Sequence, residues 1–421
     1  MDAAVTVLFI GVLIFIGNIL CRVFTLTKIP DVLFLISIGI VIGPVFNIVE
    51  PDAFGVVGPL FTYVTLAIIM FEGGLHITIG TIRKAFNGTM AITLANFAVI
   101  TLLCILILPS LAGFTFLESC MLGAIIGGTS SAVVIPFTNF LNIRNDTKAI
   151  LALESAISDV LCIVVLLALL DIVKLNEFNP GHLIGTVIAS FLIATIIGVI
   201  AGVWWSSVYH KLAAIKSVFI TPAFVFIIFG VVNLMGFSGA IASLAFGVTL
   251  GNLYYFKAEK ILPFFKNTEQ IELTLVETEF LSQLVSVLKT FFFIYIGISI
   301  HFTNMSVIYL GAFITVAIYI ARIVIVWCTI PRHIPKPDAA IMAAMEPKGL
   351  AAAVLASLPL AAGVAAGQVI QDTTYIVIFF SILVCSILVF LLEKTPFTKV
   401  YQKLFFSFGK EEKPEDTGLK T

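Results

Sequence analysis

Apolar residues fall in thirteen runs along the 421-residue chain, parted by short polar stretches. The runs cover roughly residues 3–20, 30–49, 59–80, 89–111, 118–138, 148–173, 182–207, 217–235, 238–255, 283–303, 306–329, 337–361 and 373–392. Each is near the ~20 residues that a helix needs to cross a bilayer. The pattern predicts an all-α polytopic membrane protein with about 13 transmembrane helices.

Composition agrees with that reading. Sixty per cent of the residues are hydrophobic and 11% are charged, against about 25% charge in soluble domains. Mean hydropathy is +1.15. The net charge of −1 says little; the placement of charge says more. Loops after odd-numbered runs, together with the tail, hold nineteen of the 23 basic residues. The opposite loops hold only Lys174, and Lys289, Arg322 and Lys348 fall within runs. The positive-inside rule then puts the N-terminus outside and the C-terminus in the cytoplasm of a cell-membrane protein. No basic region precedes the first run, so a cleaved signal peptide is not expected.

Cysteines and histidines change little. Cys21, Cys104, Cys120, Cys162, Cys328 and Cys385 show no paired spacing, which argues against a disulfide framework or zinc site. The five histidines are dispersed as well. No cofactor and no nucleic-acid partner are expected. The charged stretch 257–279 reads as a solvated linker entering an interfacial helix, with a pH-sensing or membrane-surface role as the alternative. The tail from Gly409 is polar and reads as disordered.

Two runs look broken. One reads GAIIGGTSSAVVIPF, with Gly127 and Gly128, then Thr129, Ser130 and Ser131, then Pro136. The other reads MEPKGLAAAVLASLPL, with Glu346, Pro347, Lys348, Gly349 and then Pro359. Unwound backbone at membrane depth is tolerated only where it lines a cavity or is buried in protein. Interrupted helices in corresponding positions of two halves point to a transporter site. Freed carbonyls and hydroxyls there can replace a cation's hydration shell.

Between those breaks lies the run LESAISDVLCIVVLLALL, which carries Glu154 and Asp159. Carboxylates at membrane depth are costly and mark ion pathways. Five residues separate the two acids, about 140° around a helix, so they face different neighbours. Ser155 shares the face of Asp159, and Ser158 shares that of Glu154. Arg322, in VAIYIARIVIVWC, keeps its proton in a protein. We pair it with Glu154 as a fixed neutral unit. That leaves Asp159 as the group that binds the monovalent cation and the proton in turn. One titrating carboxylate predicts one proton per cation and no net charge moved.

These residues resemble the monovalent cation:proton antiporters, nearest the NhaP-like branch. The resemblance rests on ESAISDVLCIV, TSSAVVIPF, the buried Arg322 and the EPKG stretch. FEGGL at residues 71–75 and LKTFFFIYIG at 288–297 also match. It spans all but the tail. It implies an NhaA/NhaP-like fold with inverted repeats and two unwound crossing helices, and a homodimer whose six-helix core moves like an elevator. It implies a dimerisation scaffold at 1–84 and 209–303, an ion-translocating core at 85–173 and 304–392, a linking helix at 174–208 and a cytoplasmic tail at 393–421. It also implies that Asp159 binds the ion, with Ser155, Ser158, Thr129 and Ser130 around it, while Glu154 pairs with Arg322.

The chain departs from the branch at two places. Ser158 stands where Asn usually precedes the ion-binding Asp. Thr129-Ser130-Ser131 replaces Thr-Asp-Pro and is closer to the Kef-like potassium branch. The transported cation, Na⁺ or Li⁺ on one side and K⁺ on the other, stays open at this point. The two adjacent aspartates of electrogenic relatives are absent.

Other charges have more than one reading. Glu72 is interfacial, structural or part of an ion funnel. Lys289 snorkels or takes part in function. Glu346 and Lys348 cap half-helices, pair with each other or ligate the ion. Other protein classes fit less well. An intramembrane aspartyl protease needs a second catalytic aspartate. A channel repeats a selectivity loop about an axis. A sodium-coupled solute symporter needs a roomy polar cavity, whereas the broken runs are lined mostly by Ala, Val and Gly.

Overall fold

The computed structural model describes residues 8, 11–17, 19, 31–49, 57–77, 79–175, 180–212, 217–253, 275–300 and 304–409. Half of run one, stretch 257–274 and tail 410–421 lie outside the described residues. Among the described residues the chain is helical, with no strand and one isolated bridge, Pro335 to Gly409.

The helices are α1 (Asp31–Ile40), which runs into a π-turn at Val41–Val45, then α2 (Val57–His76) and α3 (Ile79–Ala112). There follow α4 (Phe116–Ile126), α5 (Ser131–Phe140), α6 (Asn145–Leu175) and α7 (Pro180–Leu212). The middle of the chain forms α8 (Ile220–Leu234), α9 (Gly239–Gly251) and α10 (Leu275–Ile298). The last third forms α11 (Met305–Thr329), α12 (Lys336–Ala344), α13 (Leu350–Ala361), α14 (Gly367–Lys394) and the short α15 (Phe397–Tyr401). Among the described residues, six helices are long and apolar enough to span a bilayer: 88–112, 145–173, 189–209, 276–298, 305–329 and 367–394. Leu94, Leu102, Leu106, Phe313, Val316 and Ile320 on two of these are exposed, as lipid-facing side chains must be.

Helix α4 begins with a capping box. Thr115 accepts from the Glu118 backbone N–H, and Glu118 accepts from Thr115 N in return, satisfying two of the orphan donors of a helix N-terminus. Helix α3 starts ten residues before run four, because the helix continues past the apolar stretch through Arg83 and Lys84.

Packing sorts the helices into two groups. Helices α1, α2, α7, α8, α9 and α10 pack mainly on one another, and α3–α6 pack with α11–α14. In the first group the backbones approach to glycine distance. A Cβ on Gly247 would lie 2.2 Å from the Phe71 carbonyl oxygen, and one on Gly74 would lie 2.4 Å from that of Leu244. Gly39 and Gly297 oppose each other likewise, with 2.2 Å to the Ile294 oxygen and 2.3 Å to the Ile36 oxygen. Small residues permit such approach in membranes, where van der Waals packing replaces the hydrophobic effect between helices. This gives FEGGL and FIYIG a packing role. Beside that seam Lys289 pairs with the buried Asp31 at 2.6 Å, so its charge is matched within the first group.

In the second group two helices are interrupted, α4–α5 at residues 127–130 and α12–α13 at 345–349. One end of this group gathers several basic stretches. Asp338, at the start of α12, accepts from Arg144 N (3.0 Å), just before α6, and from Thr147 Oγ1 (2.6 Å) in the first turn of α6. Gly409 N donates to the carbonyls of Arg332 (2.9 Å) and Ile334 (3.1 Å). Residues 144–148, 332–336 and 397–409 are thereby tied together.

Candidate ion-binding site

The two breaks meet through backbone: Ser130 N donates to the Pro347 carbonyl at 2.8 Å. Each break leaves helix-end groups without helical partners, and side chains satisfy several of them. At the end of α4, the Gly127 carbonyl accepts from Asn96 Nδ2 (3.2 Å) and the Gly128 carbonyl from Lys348 Nζ (2.8 Å). Thr129 N donates to Ser158 Oγ on α6 at 3.1 Å. Lys348 N donates to Ser381 Oγ on α14 at 2.9 Å. Gly349 is kept small by the crossing, since a Cβ there would lie 2.0 Å from Ser130 Oγ.

Four buried charges surround this junction. Arg322 on α11 meets Glu154 on α6 with two bonds, Nη1 to Oε1 at 2.5 Å and Nη2 to Oε2 at 2.8 Å. Its Nε donates to the Met342 carbonyl and lies 3.2 Å from Glu346 Oε2. Glu346 Oε1 accepts from Lys348 Nζ and, at 2.8 Å, from Asn96 Nδ2. All four charged side chains are at most 1% exposed. Two carboxylates, one guanidinium and one ammonium alternate and sum to zero. A buried charge is tolerable only when paired and hydrogen-bonded; each of the four is paired here, and one oxygen, Glu346 Oε2, has the Arg322 contact without a hydrogen bond. Arg322 is therefore bracketed by two carboxylates, one of which the sequence alone does not single out as its neighbour.

Asp159 stands apart from that network. It is 5% exposed, and Ser131 Oγ donates to its Oδ2 at 3.2 Å. Among the described residues no basic side chain forms an ion pair with it. Ser131 is the first residue of α5, so the carboxylate sits at a helix N-terminus, an end that favours negative charge. Thr129 Oγ1 and Ser130 Oγ, 2% and 3% exposed, have no hydrogen-bond partner. A cavity of about 290 Å³ leads to this point. Its walls include Ser131, Thr138, Lys148 and Ala156 from one helix group, and Met70 and Leu244 from the other.

The other residues singled out from the sequence fall as follows. Ser158 touches the first break, while Ser155 Oγ donates to the Ala152 carbonyl of its own helix. Glu72 is half-buried on α2 beside Gly73, which lines the cavity. Among the described residues no three His, Cys, Asp or Glu side chains cluster as a multidentate metal site would require. Two members were not singled out as site residues in the sequence: Asn96, an isolated amide on an apolar helix, and Ser131, the third of three consecutive hydroxyl-bearing residues. For Ser131 the signal was present, because the first position of a half-helix turns toward whatever faces its N-terminus.

The fold is similar to solved structures of the sodium proton antiporter MjNhaP1 from Methanocaldococcus jannaschii. One, at pH 8, has a TM-score of 0.69 and 19% identity, covering 93% of this chain and 98% of that one. A second, from electron microscopy, has a TM-score of 0.71 and 17% identity, covering 98% and 100%. The model of the transmembrane sodium/hydrogen exchanger family matches residues 11–394. This multi-pass membrane protein, with its interrupted helices and buried carboxylate, belongs to the sodium/hydrogen exchanger family, a family of ion antiporters.

Proposed function

We propose that the protein exchanges one monovalent cation for one proton, with Asp159 as the shared site. The observation that carries this reading is the contrast in charge. Four buried charges neutralise one another, while Asp159, among the described residues, has a hydroxyl partner and no ion pair, and that hydroxyl, on Ser131, lines a cavity. A proton and a cation compete for such a carboxylate. If the site crosses only when neutralised, exchange is obligatory. The ligands around Asp159 are Thr129, Ser130, Ser155 and Ser158, supplemented by backbone oxygens at the break. Glu154 and Arg322 fix the neighbouring turn of α6, and Glu346 and Lys348 cap the crossing. Glu72 flanks the funnel.

Sodium is the primary cation in this reading, with Li⁺ as a close substitute. A K⁺/H⁺ exchanger is the second reading, favoured by the hydroxyl trio Thr129-Ser130-Ser131 where a second carboxylate would hold a small ion more strongly. The cavity between the two helix groups supports movement of α3–α6 with α11–α14 against the rest, an elevator-type motion within a lipid-embedded homodimer. The gathering of basic stretches at the cavity's Lys148 end supports a cytoplasmic position for that face and for the C-terminus, in the cell membrane. Thirteen spans and inverted repeats complete the proposed architecture.

The test is transport in proteoliposomes carrying an internal pH dye. Na⁺, Li⁺ or K⁺ is added in turn, and cation-driven proton movement is the expected result. With the membrane potential clamped, the final Na⁺ gradient should not depend on voltage. A steep voltage dependence would mean more than one proton per cation. Activity should also fall at both pH extremes, where protons either outcompete the cation or become too scarce for the return step.

A further inference from the structure

Ser131 holds a place that the other hydroxyls at the break do not. It is the first residue of α5, its oxygen reaches Asp159, and it forms part of the cavity wall. Asp159 itself is not among the residues lining that cavity. An ion entering from the cavity therefore meets Ser131 before, or together with, Asp159. Thr129 and Ser130 flank it with buried hydroxyls that lack partners. Ser158 Oγ is already engaged, accepting from Thr129 N and donating to the Ser155 carbonyl.

A serine hydroxyl can play two roles in turn, since it has one O–H donor and two acceptor lone pairs. As a donor it satisfies the empty carboxylate. If the O–H rotates away, the same oxygen presents a lone pair to a hard cation held between it and Asp159. The swap needs rotation about one bond and no change of backbone.

We propose that Ser131 is a cation ligand and a specificity-determining residue of the exchanger, the first ligand that an ion meets from the cavity. This inference rests on the reading of Asp159 as the ion site. Ser131 donates to Asp159 when the site is empty and coordinates the cation when it is loaded. Its loss weakens cation capture and leaves the moving machinery intact. The effect should differ between Na⁺, Li⁺ and K⁺, because removing one oxygen matters most for the ion whose shell it best completes.

The experiment compares wild type with Ser131→Ala and Ser131→Thr in proteoliposomes. Apparent KM and maximal rate are measured for Na⁺, Li⁺ and K⁺ separately. Na⁺ binding to purified protein is followed by calorimetry. For Ser131→Ala the expected result is an apparent KM for Na⁺ raised about tenfold, as for loss of one bond to a charged group, with maximal rate within about twofold. The Na⁺/Li⁺ preference should change, and calorimetric affinity should fall in parallel. Ser131→Thr, which keeps the oxygen, should restore affinity. If Ser131→Ala unfolds early, Ser131→Cys replaces it, because a soft thiol is a poor ligand for a hard cation; the same rise in KM is expected. Unchanged KM and affinity, or a fall in maximal rate alone, would overturn the proposal. Asp159→Asn separates the two readings. If Asp159→Asn is inactive and Ser131→Ala behaves as wild type, only the Ser131 role fails. If Asp159→Asn still exchanges, the reading of Asp159 fails first.

Discussion

The two helix groups each contain a crossing of close-packed elements, built by opposite means. Where α2 meets α9 and α1 meets α10, contact is made by glycine, with facing backbones so near that a single Cβ would collide. Where α4–α5 meets α12–α13, the elements are interrupted and joined by Glu154, Arg322, Glu346, Lys348 and Asn96. The glycine seam is made by backbone contact, and the charges beside it, Asp31 and Lys289, pair with each other. The polar crossing exposes helix ends and must neutralise itself, and the residue left out of that neutralisation is the one beside the cavity. A close-packed seam on one side and a self-cancelling charge network on the other is the division that the proposed elevator-type motion calls for.

The largest expected effect tests whether function is confined to the polar crossing. Asp159→Asn should reduce exchange to background, a loss above about 100-fold, because Asn cannot titrate and proton and cation no longer share a charge. Melting temperature in detergent should stay within a few degrees of wild type. Exchange persisting at a substantial fraction of wild type would remove Asp159 as the carrier.

The next prediction asks whether the network is a unit. Glu154→Gln or Arg322→Ala leaves an uncompensated buried charge, at a cost of about 3–5 kcal/mol. Each should melt well below Asp159→Asn, and the double variant should recover part of the loss. Glu346 also lies 3.2 Å from Arg322, so recovery should be incomplete: removing Arg322 still strips Glu346 of one cation. Strictly additive losses would show that these residues do not act together.

The seam gives a smaller effect of another kind. Gly247→Ala places a methyl 2.2 Å from the Phe71 oxygen, and overpacking of this sort costs about 1–3 kcal/mol. Thermal stability should fall while the apparent KM for Na⁺ stays unchanged. A shift in KM would mean that the seam and the ion site are coupled, and the division between the two groups would have to be redrawn.

The contrast also explains what could be read from the sequence. The breaks were legible because Gly127-Gly128 and Pro347 interrupt apolar runs, and a charge such as Arg322 is conspicuous where charges are rare. The family of the chain was legible for the same reason. Partners far apart in sequence were not legible. Asp31 with Lys289 and Asn96 with Glu346 lie 258 and 250 residues apart, and no local period joins them. The reciprocal pair of Gly39 and Gly297 was hidden because one glycine in an apolar helix looks like any other. The start of α3 was misplaced because apolarity ended before the helix did.

The smallest effect concerns the segment that closes one end of the polar group. After α15 the chain turns through Gln402–Phe405 and brings Phe405 and Phe408 into buried positions. The Arg332 guanidinium lies 4.6 Å from the ring centroids of both Trp327 and Phe408. Lys336 N donates to the Gly409 carbonyl at 3.1 Å, so the segment is held to the start of α12. Arg332 is exposed, and an exposed cation–π contact contributes about 0.5–1 kcal/mol. Arg332→Ala should therefore lower the melting temperature modestly. Phe408→Ala should cost more, because it also removes a buried ring. The double variant should lose less than the sum, by about the contact energy. Transport at saturating Na⁺ should remain, since the stack lies apart from Asp159 and its cavity. Additivity within error would make the stack a bystander and leave the backbone bonds of Gly409 as what holds the segment. A collapse of transport without loss of stability would instead tie this segment to the movement of α12, and the polar group would no longer end at α14.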